Sequence, residues 1–176
     1  ISTIANQAID EDTSLTLTLS ASDVDGDALT YSASNGNADI SVDGSILTVT
    51  PEADFNGEIV VDVTVTDGDL FDSTSFSITV NPVNDAPLLS FVPDVEFEED
   101  GTSTVSLSAT DIDSADLTFG VSGGLYIFAE INDSIVTFSA AQDFYGSEEF
   151  TATVTDGELI SSQTFTVLVY AVNDAP

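Results

Sequence analysis

The most constraining feature of this sequence is that its first half recurs in its second half. The string VNDAP occupies residues 83–87 and again residues 172–176, and TVTDG occupies residues 64–68 and 153–157. The two copies are offset by about 88 to 89 residues, which is too long for a solenoid unit and close to the size of one β-sandwich. The sequence therefore predicts two domains in series, residues 1–86 and residues 87–176.

The hydrophobic pattern within each copy is typical of β-strands. Val61, Val63 and Val65 alternate with polar residues, and similar stretches are bounded by clusters of Asp, Gly and Asn. The pattern predicts strands at 1–9, 14–21, 28–33, 38–42, 45–50, 58–66 and 72–80 in the first copy. In the second copy it predicts strands at 89–97, 103–109, 116–121, 125–131, 134–138, 147–155 and 162–170. We therefore expect an all-β protein of two tandem seven-stranded Greek-key β-sandwiches.

The charge of the chain excludes several classes of function. The 176 residues include 32 Asp and Glu but no Lys, Arg, His or Cys, so the formal net charge is −32. Without basic residues the chain is a poor partner for nucleic acid or for anionic membranes, and it has no apolar run long enough to span a bilayer. The absence of His and Cys removes the commonest general base and the thiol nucleophile, so we expect no enzyme activity.

Acidic residues are concentrated at the predicted turns. Because consecutive turns of an antiparallel sandwich alternate between its two ends, turns from the end of the first domain should converge with turns from the start of the second. The converging residues are Glu11, Asp12, Glu52, Asp54, Asn84 and Asp85 from the first domain and its linker, and Asp111, Asp113 and Asp156 from the second. Such carboxylates repel one another unless something supplies positive charge, and bound metal and concentrated salt are the two candidates.

The type of residue at these turns favours a hard cation. Asp23, Asp25 and Asp27 alternate around Gly26, which offers several oxygen ligands on a tight turn and suits Ca²⁺. An EF-hand would require a further Glu near position 34, which is absent. For this loop and for the loop at Asp67 the alternative is an acidic turn that is simply solvated. For the linker at 81–87 the alternative is a rigid connection that binds no cation.

Five motifs in the same order in both copies resemble the cadherin-like tandem repeats of large bacterial surface and secreted proteins. In the first copy these motifs read DEDT at 10–13, ASDVDGD at 21–27, FNG at 55–57, VTDG at 65–68 and VNDAP at 83–87. The resemblance covers both copies from end to end.

The resemblance implies Ca²⁺ sites between successive domains, and it implies specific ligands. At the internal junction they are Glu11, Glu52, Asp54, Asn84, Asp85, Asp111, Asp113 and Asp156, with Asp12 beside them. The corresponding residues at the two outer ends are Asp23, Asp25, Asp27 and Asp67, and Glu99, Asp100, Asp143, Asn173 and Asp174.

These features lead us to expect a calcium-stiffened module of an extracellular repeat protein, such as the stalk or spacer of an adhesin or of a biofilm matrix protein. Its partners would be neighbouring repeats, or identical chains meeting end to end. Two alternatives remain open at this stage: a subunit of a calcium-dependent extracellular filament, and a carbohydrate-binding module.

Overall fold

A computed structural model describes residues 1–173 and divides the chain into two compact units, Ile1–Val83 and Asn84–Pro176. The division falls three residues before the predicted one because the side chain of Asn84 and the backbone of Asp85 bond to loops of the second unit. The ordered elements of the described residues are all strands. No helix there is long and apolar enough to cross a membrane.

The first unit contains seven strands in two sheets. The strands are β1 (Gln7–Asp10), β2 (Leu15–Thr18), β3 (Thr30–Ser34), β4 (Ala38–Asp43), β5 (Ile46–Pro51), β6 (Gly57–Thr66) and β7 (Phe71–Asn81). One sheet has the order β1-β7-β6-β3 and the other β2-β5-β4. β1 runs parallel to β7, and every other pair is antiparallel.

The second unit repeats this plan with two of its strands divided. Its strands are β8 (Leu88–Leu89), β9 (Val95–Glu98), β10 (Thr102–Ser106), β11 (Ala109–Thr110), β12 (Thr118–Gly123), β13 (Ile127–Asn132), β14 (Ile135–Ala140), β15 (Gly146–Thr155) and β16 (Ile160–Tyr170). The main sheets have the orders β12-β15-β16-β9 and β10-β14-β13, and β8 pairs with β11. The predicted all-β sandwich class is thus confirmed.

Each unit has its own hydrophobic core, formed by the inward positions of alternating strands. Val61, Val63 and Ile78 are fully buried in the first unit, and Phe138 and Phe150 fill the corresponding space in the second. The rings of Phe138 and Phe150 meet edge to face with centroids 5.2 Å apart. The alternation visible in the sequence therefore corresponds to the packed faces of the sheets.

The first strand of each unit was predicted too long. Residues 1–9 contain only β1, which begins at Gln7, and residues 89–97 are divided between β8 and β9. The chain changes from one sheet to the other here: β8 pairs with β11, whereas β9 pairs with β16. Where the chain changes sheets, a side chain accepts a hydrogen bond from a backbone N–H of the last strand of the unit. In the first unit Asn6 accepts from Ser77, and in the second unit Asp94 accepts from Thr166.

Two further strands of the prediction also needed correction. The strand predicted at 14–21 is shorter, because β2 ends at Thr18. The one predicted at 103–109 is split into β10 and β11. A backbone N–H beyond the end of a strand still needs an acceptor, and the N–H of Leu107 donates to the backbone carbonyl of Ser134 between β10 and β11.

Candidate metal-binding loops at the ends of each unit

In the second unit the loop after β11 folds around the carboxylate of Asp111. Oδ1 of Asp111 accepts hydrogen bonds from the backbone N–H groups of Asp113 and Ser114, both at 2.8 Å. This is the Asx-turn arrangement, in which a side-chain oxygen replaces a backbone acceptor. It fixes the carboxylate of Asp111 through one of its two oxygens.

That second oxygen is the most unusual atom of the loop. Oδ2 of Asp111 is buried and has no hydrogen-bond partner among residues 1–173. A buried carboxylate oxygen without a partner is costly, because a charged acceptor loses its hydration and gains nothing in return. A bound cation would remove that cost.

The residues that open the second unit are joined to this loop and to the loop after β15. The side-chain amide of Asn84 donates to Oδ2 of Asp156 at 2.7 Å, and the backbone N–H of Asp85 donates to Oδ2 of Asp113 at 2.8 Å. The structure therefore brings together all five predicted residues of this unit's first end: Asn84, Asp85, Asp111, Asp113 and Asp156.

Asp156 is held in its charged form. The hydrogen bond from Asn84 is the largest cause of its lowered pKa, followed by the N–H groups of Leu159 and Glu158. A carboxylate that stays ionised at neutral pH keeps its negative charge available for a cation.

The far end of the first unit contains a buried acid. Glu11 is only 3% exposed, and its Oε1 accepts the backbone N–H of Val83 at 2.5 Å while its Oε2 accepts from the amide of Asn56 at 3.3 Å. Glu11 therefore ties the turn after β1 and the loop before β6 to the last residue of the unit.

Asp12 and Asp54 lie beside Glu11 in left-handed backbone conformations, with φ of 59° and 58°. Oδ1 of Asp12 accepts the N–H of Asp54 at 3.2 Å, and carboxylate oxygens of the two residues lie within 4.8 Å of each other. The remaining predicted residue, Glu52, is exposed and accepts the N–H of Phe55 through its backbone carbonyl.

The far end of the second unit repeats these contacts. Glu99 is 7% exposed and accepts the backbone N–H of Val172 at 2.6 Å, as Glu11 does from Val83. Asp100 and Asp143 have φ of 62° and 58°, close to those of Asp12 and Asp54. Asn173 ends the described residues, and the predicted ligand Asp174 lies outside them.

The opening end of the first unit has the same type of turn. Oδ1 of Asp23 accepts the N–H groups of Asp25, Gly26 and Asp27 at 2.8, 2.9 and 3.2 Å. Asp67 accepts those of Asp69 and Leu70, and the bond from Leu70 is the largest cause of its lowered pKa.

The sequence analysis missed Glu148 on β15. Its carboxylate accepts backbone N–H groups from Leu125, Tyr126 and Ile127, at 2.8 to 3.2 Å. Desolvation would raise the pKa of Glu148, but the three hydrogen bonds together outweigh it and the pKa is lowered. The signal was available in the sequence, since Glu148 occupies the inward register of β15 that Phe150 and Val154 share.

Comparison with known proteins places the fold in a family. The sequence model of the bacterial Ig domain matches residues 2–81 and again residues 84–168. The chain is 32% identical over 156 residues to a protein named Chitinase A from Pseudoalteromonas piscicida. This match covers 85% of the chain but only 19% of that relative.

A solved cadherin structure shares the fold. Drosophila N-cadherin EC1-4 is similar over 96% of this chain and 47% of its own, with a TM-score of 0.54 at 21% identity. An endo-fucoidan hydrolase of glycoside hydrolase family 107 is similar over 98% of this chain and 28% of its own, with a TM-score of 0.40 at 22% identity.

The resemblance read from the sequence is confirmed at the level of family and fold. The two main sheets of the sandwich occur in both units, Drosophila N-cadherin EC1-4 shares the fold, and the family match covers both copies. The chain therefore belongs to the bacterial Ig domain family, of which it contains two copies in tandem.

Proposed function

We propose that this chain is a module of an extracellular repeat protein and that Ca²⁺, bound where one repeat is followed by the next, stiffens the array. The buried, unpartnered Oδ2 of Asp111 is the observation that carries the proposal. The turn at Asp111 satisfies one oxygen internally and leaves the other for a ligand from outside the turn.

The donors at these loops suit calcium better than other metals. They are carboxylate, amide and backbone carbonyl oxygens, and the chain has no imidazole or thiolate to attract zinc or copper. Calcium takes six to eight oxygen ligands in flexible geometry, so it tolerates ligands from several loops.

The position of the linker supports a stiffening role. Glu11 holds the backbone of Val83, and the next residue, Asn84, is held by Asp156. Val83 is thus hydrogen-bonded to an acidic loop of the first unit, and Asn84 to an acidic loop of the second. A cation bound by ligands from both sets of loops would oppose bending at this linker, because bending would break metal–oxygen bonds.

A role as a stalk or spacer, in an adhesin or a biofilm matrix protein, fits a chain that contains two copies of one domain in tandem. The matched part of Chitinase A is a small fraction of that protein, which is consistent with a module that accompanies other domains.

The proposal is tested by calcium titration calorimetry on the full chain. Asp111→Asn keeps the Oδ1 acceptor for the turn and removes the charge, so we expect it to weaken at least one calcium site by about tenfold. Asp69→Asn is the matched control, because Asp69 is an exposed loop Asp whose backbone N–H, and not its carboxylate, bonds to the turn.

The expected result is heat of binding in the unmodified chain and in Asp69→Asn, with the loss confined to Asp111→Asn. Absence of calcium binding at millimolar concentrations, or equal losses in the two variants, would contradict the proposal.

A further inference from the structure

The chain contains two Asn-Gly pairs, both in the first unit: Asn35-Gly36 and Asn56-Gly57. Gly has no side chain to shield its backbone nitrogen, so at such a pair this nitrogen can attack Cγ of the preceding Asn. The attack closes a succinimide ring and releases the side-chain nitrogen as ammonia. Water then opens the ring to give aspartate or isoaspartate. The fold decides whether a pair reacts, because it sets the positions of the attacking and attacked atoms.

The side chain of Asn35 is curled over the backbone that follows it, in the connection between β3 and β4. Its Oδ1 accepts the backbone N–H groups of Asn37 and Ala38, at 2.6 and 2.8 Å. Both donors lie beyond Gly36 in the chain, so this Asx turn folds the carboxamide back over the nitrogen of Gly36. The turn therefore holds the attacked carbon beside the nitrogen that attacks it.

The same two hydrogen bonds activate the carboxamide of Asn35. Attack on Cγ moves negative charge onto Oδ1, and the N–H groups of Asn37 and Ala38 are already directed at that oxygen. Donors placed where charge develops stabilise the tetrahedral intermediate, as in an oxyanion hole. The loop thus supplies electrostatic stabilisation in addition to position.

The attacking nitrogen of Gly36 is accessible. Gly36 is exposed and lies outside the strands, and its N–H has no acceptor among residues 1–173. A Cβ built on Gly36 would have no atom within 4 Å. Neither a hydrogen bond nor a neighbouring group therefore opposes closure of the ring.

The second pair is held in a different way. The amide nitrogen of Asn56 donates to Glu11 at 3.3 Å, but its Oδ1 accepts no hydrogen bond within the described part of the chain. Gly57 begins β6 and is paired with Val80, and a Cβ there would lie 3.4 Å from the ring of Phe55. Asn56 therefore lacks the donors that stabilise the intermediate, and strand pairing restrains the nitrogen of Gly57.

The aspartate product fits the turn at position 35. The carboxylates of Asp67 and Asp111 accept the N–H groups two and three residues ahead of them, as the side chain of Asn35 does. An aspartate keeps both of these bonds and loses only the donation from Nδ2 to the carbonyl of Ala38, which is 3.1 Å long in Asn35. The modification is thus compatible with the folded unit.

From these contacts we propose that Asn35 is a site of spontaneous deamidation, and that the folded connection between β3 and β4 promotes the reaction. The conversion requires water but no enzyme, and it adds one negative charge before β4. None of the residues proposed to bind calcium takes part in it.

The test is incubation of the full chain in mildly alkaline buffer, folded and in concentrated urea, followed by digestion and mass spectrometry. Chymotrypsin is the suitable protease, because the chain has no Lys or Arg for trypsin. Each conversion raises the mass of a peptide by about 1 Da. Gly36→Ala shields the attacking nitrogen at a place where a Cβ has room. Asn37→Ala is the matched control, because the backbone N–H of Asn37, and not its side chain, bonds to Asn35.

We expect Asn35 to convert about tenfold or more faster than Asn56 in the folded chain, and the two to convert at similar rates in urea. Gly36→Ala should slow the conversion of Asn35 by about tenfold or more, whereas Asn37→Ala should leave it unchanged. Equal conversion of the two pairs in the folded chain would overturn the proposal. Conversion of Asn35 that is no faster in the folded chain than in urea would also overturn it, because the loop would then not promote the reaction.

Discussion

At the scale of single residues, Glu148 shows how one carboxylate can replace core packing. The equivalent position in the first unit, with the offset of about 89 residues, is Ile59, which is 2% exposed and part of the core. In the second unit the acid turns to the backbone of residues 125–127 and accepts their N–H groups. Several charge-assisted hydrogen bonds offset the loss of an apolar contact there.

This arrangement predicts that stability depends on pH through Glu148. Its folded pKa is lowered from the ordinary value of 4.5, so its contribution is complete above that value and is lost as the pH falls through the lowered pKa. Glu148→Gln should therefore cost about 1–2 kcal/mol in the free energy of unfolding at pH 7, and less in strong acid.

Urea denaturation at several pH values, followed by tyrosine fluorescence, measures this difference. Three of the four tyrosines, Tyr126, Tyr145 and Tyr170, lie in the second unit, so the signal reports mainly on it. Glu149→Gln is the control, because Glu149 is exposed on the other face of β15. A cost that is the same at pH 7 and in acid would show that the charge of Glu148 is not what stabilises the turn.

The grouping of acidic residues at the opening end of the second unit could be predicted from the order of the strands, and their role as calcium ligands stays a prediction. Asp111, Asp113 and Asp156 were expected to converge with Asn84 and Asp85, because loops that follow alternate strands lie at one end of a sandwich. The structure joins Asn84 to Asp156 and Asp85 to Asp113. What no pattern gives is the direction of each oxygen, such as the buried Oδ2 of Asp111, since that depends on the hydrogen bonds of the folded loop.

At the scale of elements, the connection before β4 and its counterpart before β13 are built in different ways. In the first unit Asn35 organises the connection, and its side chain accepts the N–H groups of Asn37 and Ala38. In the second unit Gly123 and Gly124 have φ of 123° and 76°, and Glu148 supplies the acceptor from β15. The sequence shows the glycines and the inward register of Glu148 on β15. It does not show that the carboxylate of Glu148 meets the N–H groups of residues 125–127, because that depends on how the strands pair in the folded unit.

Gly124→Ala should destabilise the second unit by about 2 kcal/mol or more. A Cβ at Gly124 would lie 2.2 Å from the carbonyl oxygen of Ile127 and 2.5 Å from the ring of Phe150, in a backbone conformation that side chains rarely adopt. The control is Gly36→Ala in the equivalent connection of the first unit, where the space is open and φ is not positive. Melting curves of the two variants measure the difference, and equal losses would mean that the crowding at Gly124 is relieved by movement of the loop.

The first strand of each unit shows what strand periodicity leaves open. Alternation continues through residues 89–97, yet the chain leaves one sheet and enters the other between Leu89 and Val95. Pro93 has no N–H and cannot donate a ladder hydrogen bond. The side chain of Asp94, in place of a backbone carbonyl, accepts the N–H of Thr166. A pattern of apolar residues indicates burial, but it does not say which sheet receives the strand.

At the scale of the whole molecule, the excess of negative charge is the main feature that affects the stability of the folded chain. The chain has 32 acidic residues and no basic side chain, so repulsion between carboxylates opposes the folded state. Screening by salt weakens this repulsion everywhere, whereas a bound cation acts only at the loops that coordinate it.

We therefore expect chelation to lower the melting temperature by several degrees at low salt, since binding to the folded state alone stabilises by an amount that grows with ligand concentration. Calorimetric melting in calcium and in excess chelator measures the shift, and Asp111→Asn should show a smaller one. A melting curve that chelator leaves unchanged at low salt would show that no calcium site contributes to stability.

Solution scattering of the full chain tests the central claim, that calcium stiffens the linker, most directly. The profile should be recorded in calcium, in chelator, and in chelator with concentrated sodium chloride. Coordination by ligands from both units predicts a narrow pair-distance distribution in calcium alone and a broader one in chelator that sodium chloride does not restore, because screening removes repulsion without creating metal–oxygen bonds. If sodium chloride alone gives the same narrow distribution as calcium, charge screening is enough and the metal clamp is wrong.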